Sequence, residues 1–136
     1  MAKVLLYKEA EFSASHRLYN EQLTEAENDT IYSKCAVEHG HNYRLVVGIE
    51  GEVDGKTGMV KNVSELNQIL KKVVLNKCDH QRLSLLPEFK TIVPTLENLV
   101  VWIWGLLEPY LPGQQLKEVI LYETDRTFAK YCGLGK

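Results

Sequence analysis

The segment KCAVEHGHNY, residues 34–43, places a thiol (Cys35), a carboxylate (Glu38) and two imidazoles (His39 and His41) within seven residues. It holds two of the chain's four histidines. Residues i and i+2 of a strand point to the same side, roughly 6 to 7 Å apart, and at that spacing two imidazoles converge on one metal ion. His16 is the candidate third ligand: Ala10, Phe12, Ala14 and His16 alternate along a segment that reads as a strand and ends in that histidine. Three imidazoles with an open fourth position are the plan of a catalytic zinc site. Imidazole also binds other divalent metals, with zinc the favoured ion here. Two other readings stay open at this level. The histidines could be solvated strand residues, or Cys35 could join as a fourth ligand and make the metal structural.

The elements that must position these groups are legible in the patterning. The segment KVLLYKEAEFSASHRL has strand character in both halves, and HNYRLVVGIEGEV alternates, with His41, Tyr43, Leu45, Val47 and Ile49 on one face. Between them, YNEQLTEAENDTIYSK is polar and acidic and reads as a long surface loop. NVSELNQILKKVV is amphipathic at helical spacing, with Asn62 as cap and Glu65 three residues on. A second helix, PTLENLVVWIWGLLEPYL, has Thr95 as N-cap and Glu97 in its first turn. QLKEVILYET and TFAKYC close the chain as strands. The order β-β-α-α-β-β predicts an α+β domain over 1–136: a four-stranded antiparallel sheet with two helices on one face. Long open edges on such a sheet predict association between subunits.

Composition narrows the function. The net charge of −2 and 25% charged residues give no basic surface for nucleic acid or for an anionic membrane. No apolar run reaches the length of a bilayer span or a signal peptide, so the expected location is the cytoplasm. Three cysteines without a Cys-x-x-Cys pair predict neither a disulfide framework nor a zinc knuckle.

The motifs FSASHRL, Cys-x-x-Glu-His-Gly-His-Asn-Tyr, CDHQRL, PTLEN and LYET, in this order and spacing, resemble the 6-pyruvoyl-tetrahydropterin synthase family, which includes the 6-carboxy-tetrahydropterin synthases of queuosine biosynthesis. The resemblance runs from about Lys3 to Cys132. It implies the tunnelling fold, in which β-β-α-α-β-β subunits form a trimeric barrel and two trimers stack into a hexamer. It implies His16, His39 and His41 as ligands of Zn2+, Cys35 as the catalytic thiol, and Asp79 with His80 as an acid–base pair. Glu123 then anchors the pterin ring and joins the proton relay. Thr95 falls at a pterin-contact position with Glu97 beside it. Where vertebrate biopterin enzymes carry two adjacent threonines, this chain has Thr95 and Leu96.

The implied substrate is 7,8-dihydroneopterin triphosphate. Three residues separate Cys35 from His39, as in the bacterial 6-carboxy subtype, so the expected product is 6-carboxy-tetrahydropterin. The alternatives are 6-pyruvoyl-tetrahydropterin formation and cleavage of dihydroneopterin to a 6-hydroxymethyl product, for which Glu38 stands at the position of the base. A non-catalytic pterin- or purine-binding module with a structural zinc is the reading from another class. The roles suit the residue types. A thiolate of lowered pKa is a base, Asp79 can fix the tautomer of His80, and a carboxylate such as Glu123 can accept two hydrogen bonds from the pterin N3–H and 2-amino group.

Overall fold

Two long strands dominate the computed structural model, which describes residues 2–113 and 115–134. Strand β1 (Lys3–His16) and strand β2 (His39–Glu52) pair antiparallel without interruption, from Lys3 opposite Glu52 to His16 opposite His39. Strand β4 (Leu116–Tyr122) lies on the far side of β2, and β5 (Phe128–Tyr131) lies beyond β4. A fifth, two-residue strand, β3 (Gln81–Arg82), runs parallel to β1 at Ala14 and Ser15, so the sheet order is β3-β1-β2-β4-β5. Four antiparallel strands follow from the sequence patterning. The fifth does not, because two residues carry no periodicity.

One face of the sheet is dry. Phe12 and Ala14 of β1, Tyr43, Leu45, Val47 and Ile49 of β2, and Leu116, Val119 and Leu121 of β4 are all buried on it. Leu116 and Val119 are three apart, which strict alternation would put on opposite faces. A bulge resolves this: Gly48 pairs with Glu118 and Ile49 with Leu116, so Lys117 is the extra residue and Leu116 returns to the core side.

Helices cover that face. Helix α2 (Val63–Leu70) is capped by the Asn62 side chain, which accepts from the Ser64 amide. It continues through a wide π turn at Lys71–Leu75 into the short α3 (Asn76–Cys78), burying Leu66, Leu70, Val74 and Cys78. Helix α4 (Leu96–Leu107) is capped by Thr95, which accepts from the Asn98 amide. It buries Leu96, Leu99, Val100, Ile103, Trp104 and Leu107, an i, i+3, i+4, i+7 stripe.

The acidic segment after β1 is not a plain loop. It contains helix α1 (Glu25–Tyr32), opened by a reciprocal cap in which Thr24 accepts from the Glu27 amide and Glu27 accepts from the Thr24 amide. The Thr-x-x-Glu signal was present in TEAE, but a weak apolar stripe hid it. The segment is folded onto a buried polar residue. The Asn28 side chain accepts from the Asn20 amide at 2.8 Å and donates to the carbonyls of Asn20 and Thr24, both at 2.9 Å. Leu18 donates to the Cys35 carbonyl at 2.7 Å, tying the strap to the 3-10 turn Ser33–Ala36 that carries the thiol.

Among the described residues both edges of the sheet lack a partner strand over most of their length. β3 reaches only Ala14 and Ser15, so the β1 edge from Lys3 to Phe12 carries no strand among the described residues. Leu5 and Tyr7 are exposed there.

Candidate active site

The β1–β2 register fixes the site. His16 stands directly opposite His39, and Ala14, whose side chain is small, stands opposite His41. The three imidazoles therefore gather at one end of the dry face. Their ring centroids lie 4.6, 5.2 and 5.0 Å apart in edge-to-face arrangements. One nitrogen from each lies within 4.8 Å of the others. Below them is Tyr43, fully buried and stacked on Phe12 at 5.0 Å. Burial pushes its phenol pKa upward, so it stays neutral.

Backbone carbonyls set the tautomers. His16 Nδ1 lies 2.8 Å from the Pro94 carbonyl, and His39 Nδ1 lies 2.6 Å from the Val37 carbonyl. A carbonyl only accepts, so each Nδ1 carries the proton and each Nε2 keeps a lone pair. Nε2 of His16 and of His41 are buried with no hydrogen-bond partner. Orphaned, convergent imidazole nitrogens are the donor set of a three-histidine metal site, and these residues fit a divalent ion such as Zn2+. The Pro94 carbonyl is itself held in place. Thr95 caps α4, and Asn98 Nδ2 folds back onto the Val93 carbonyl at 2.9 Å, leaving the Pro94 oxygen free for His16.

Glu123 joins this cluster. Tyr122 pairs with Arg44, so the next residue shares the face of Tyr43 and His41. Its carboxylate lies 3.8 Å from His16 Nε2. Cys35 is exposed on its 3-10 turn. The Glu38 carboxylate lines a cavity beside the triad, where its oxygens are buried and Arg82 Nη2 lies at 3.5 Å, and its charge is felt by His16 and Tyr43. Cys35 and Glu38 are close in sequence but face different surroundings. Thr95 uses its hydroxyl as the helix cap, and Glu97 is exposed in the first turn of α4.

Asp79 and His80 are not with the triad. Asp79 Oδ1 accepts from the Ser13 amide at 2.9 Å, and the His80 amide donates to the Ser13 carbonyl at 2.6 Å, which docks the end of α3 on the edge of β1. His80 adopts a positive φ of 59°, and its Nδ1 lies 3.1 Å from Asp79 Oδ2. The Ser13 amide, and then His80, hold the Asp79 carboxyl below its usual range. The His80 ring is 82% exposed and lines a cavity of about 410 Å³ with Ser13, Ser15 and Asn42, residues of the outer face. Within one subunit the pair sits at the β1 edge, makes no hydrogen bond or ion pair with the triad among the described residues, and borders a cavity whose lining also includes His41.

The chain from residue 5 to 133 matches the family model described as 6-pyruvoyl tetrahydropterin synthase. The chain belongs to that family. This makes it an enzyme of the lyase type of the 6-pyruvoyl tetrahydropterin synthase family. It is 47% identical over 131 residues to 6-pyruvoyl tetrahydrobiopterin synthase of Dictyostelium discoideum, covering 96% of each chain. To the Homo sapiens protein of the same name it is 42% identical over 125 residues, covering 90% of this chain and 86% of the human one. The structure of 6-pyruvoyl tetrahydropterin synthase from Caenorhabditis elegans superposes with a TM-score of 0.93 at 35% identity, covering 98% of this chain and 97% of that one. No helix among the described residues is long and apolar enough to cross a membrane.

What sequence reasoning missed here is mostly backbone. The carbonyls of Val37 and Pro94 that orient two family histidines have no side-chain signature. Tyr43 was visible as a core position but not as the floor of the site, and the Arg82–Glu38 contact needed β3.

Burial lowers the pKa of both His16 and His41, and their neighbouring imidazoles push the same way. Unfolded, each protonates near about 6.5. Below that pH the unfolded state holds more protons, so stability rises with pH in that range and is lost as pH falls. The metal-free protein is expected to show a lower urea midpoint at about pH 5 than at about pH 7.5. Replacing both His16 and His41 by Gln should shrink that difference. An equal or higher midpoint at the acid pH would show that the triad does not resist protonation.

Proposed function

We propose that this chain is a zinc-dependent tetrahydropterin synthase that converts 7,8-dihydroneopterin triphosphate to 6-pyruvoyl-tetrahydropterin, with Zn2+ held by His16, His39 and His41. The observation that carries this reading is the triad itself: three convergent imidazoles, two of them with a buried, unpartnered nitrogen, beside the Glu123 carboxylate in a chain of this family. The choice of product follows the relatives, since those of Dictyostelium discoideum and Homo sapiens bear the 6-pyruvoyl name. When bound, Zn2+ would act as a Lewis acid on the side-chain hydroxyls of the substrate.

The chain's own residues do the rest. Cys35, on the exposed turn ahead of His39, is the base that takes a proton from the side-chain carbon. Glu123 accepts hydrogen bonds from the pterin edge and so places the side chain against the imidazoles. Thr95, with Glu97 beside it, borders the ring. Asp79 keeps the His80 proton on the nitrogen facing it, leaving the other nitrogen to exchange protons with substrate.

This assignment makes the site a product of assembly. The exposed His80 ring makes no hydrogen bond or ion pair with its own triad among the described residues, and the β1 edge from Lys3 to Phe12 carries no strand among them. We infer a homo-oligomer, a trimer or a hexamer of two trimers, in which Asp79 and His80 of one subunit serve the triad of the next. Mixing inactive Cys35→Ala and His80→Ala proteins under conditions of subunit exchange should restore activity at about a quarter of the sites. Mixtures as inactive as their components would place the whole site within one subunit.

The metal is tested separately. His41→Ala should fold, lose stoichiometric zinc and lose turnover. A folded variant that keeps one zinc per subunit, or a sulfur ligand from Cys35 in X-ray absorption, would refute the three-histidine assignment.

The second reading is formation of 6-carboxy-tetrahydropterin, favoured by the three-residue spacing between Cys35 and His39. Incubation with dihydroneopterin triphosphate and mass spectrometry of the products decide between the two. Dihydroneopterin as substrate tests the third possibility, side-chain cleavage with Glu38 as base. Cys35→Ala should abolish conversion of the triphosphate and spare any cleavage of dihydroneopterin, and Glu38→Ala should do the reverse. Loss of both reactions together with zinc in Glu38→Ala would instead make Glu38 a support for the adjacent ligand His39. Absence of any pterin turnover would leave a binding module with a structural metal.

A further inference from the structure

A cavity of about 420 Å³ begins where the triad ends. It shares with the triad Pro94, whose carbonyl orients His16, and Glu38, which precedes His39. Its other walls carry Arg17, Arg82, Lys90 and the Ser84 hydroxyl.

One donor in this cavity is buried and unused, the Nε of Arg17. Ser84 Oγ accepts from the Arg17 amide at 3.0 Å and fixes the backbone at that point. The Arg17 guanidinium lies 4.0 Å over the Tyr19 ring. Its Nε is buried and has no protein acceptor. Guanidinium does not deprotonate in a protein, so only a group bringing an acceptor can satisfy that N–H. Arg82 Nη2 stands 3.5 Å from Glu38, close enough to be steered but too far to be a good hydrogen bond. Lys90 is exposed at the rim. The three cations face two carboxylates, Glu21 and Glu38, which leaves the cavity net positive. A neighbouring cleft shares Arg17 and Tyr19, but there Glu21 is joined by Glu25 and Asp29, and an anion would be repelled from it.

We propose that this cavity is the polyphosphate subsite, with Arg17, Arg82 and Lys90 binding the phosphates of the substrate. The inference rests on the reading above, that a pterin triphosphate reacts at the triad. The phosphate ester is on the carbon next to the reacting ones, so the phosphate chain must leave the triad within a few bonds, and this cavity adjoins the triad with a donor to spare. Two guanidinium groups match phosphate oxygens bidentately, and the lysine adds a point charge at the open end. Binding strength then resides in side chains away from the reacting centre, and dihydroneopterin without phosphates is held less tightly.

Calorimetric titration of inorganic tripolyphosphate into the zinc-loaded protein, with zinc content measured afterwards, tests this directly. Tripolyphosphate should bind the wild type. Arg82→Gln and Lys90→Gln, both at exposed positions, should each weaken binding roughly tenfold, the loss of one charge-assisted contact. Glu21→Gln, which removes a carboxylate, should strengthen it. In turnover, Arg82→Gln and Lys90→Gln should raise KM for the triphosphate substrate with kcat and zinc content retained. If tripolyphosphate does not bind the wild type, or binds the variants equally, the subsite is wrong. If turnover of the triphosphate proceeds with KM unchanged in both variants, the subsite is also wrong, although the proposed reaction stands. If tripolyphosphate binding follows the charges but no pterin is converted, the subsite stands and the assigned reaction falls.

Discussion

The pairing of β1 with β2 is the constraint on which the rest depends. Fourteen consecutive pairs set His16 against His39 and Ala14 against His41. Because side chains alternate with a period of two, a slip of one residue would send every imidazole, and every apolar residue of the core, to the wrong face. Burial of Phe12, Tyr43, Leu45, Val47 and Ile49 therefore protects the geometry of the triad as well as the stability of the domain. The hydrophobic core and the histidine triad are two ends of one register.

The surrounding elements refine what the register provides. Helix α4 contributes its N-terminal turn, where Thr95 and Asn98 occupy the donors and acceptors around Pro94 so that one carbonyl is left for His16. The strap and α1, folded around Asn28, hold the turn bearing Cys35 through the Leu18–Cys35 hydrogen bond. β4 delivers Glu123 because its pairing with β2 places alternate residues on the core side.

How much of this was legible in the sequence depends on whether a signal is periodic. The two long strands, the capped helices and the same-face histidines all repeat at a fixed spacing, so they can be read from residue types. The third histidine could be assigned because the alternation of β1 ends on it. Helix α1 announced itself only by Thr24 and Glu27, a cap without an apolar stripe, and read as a loop. β3 is two residues long, and its pairing is a long-range event that no local pattern encodes. Asp79 and His80 were legible as a pair through the family motif. Their place at the β1 edge was not, because it depends on how Ser13 docks the end of α3.

The π turn at Lys71–Leu75 decides the bearing of that pair. An α-helix advances about 100° per residue, and a π turn holds one residue more than the helix it interrupts. Everything after it, up to Cys78, Asp79 and His80, emerges out of phase with an uninterrupted helix. Deleting a single residue there would leave every named side chain in the protein and rotate Asp79 and His80 by about a quarter of a turn or more. The length of this helix therefore fixes the bearing of the residues at its end as much as their identity does, so that an insertion or deletion there would move both where a substitution need not.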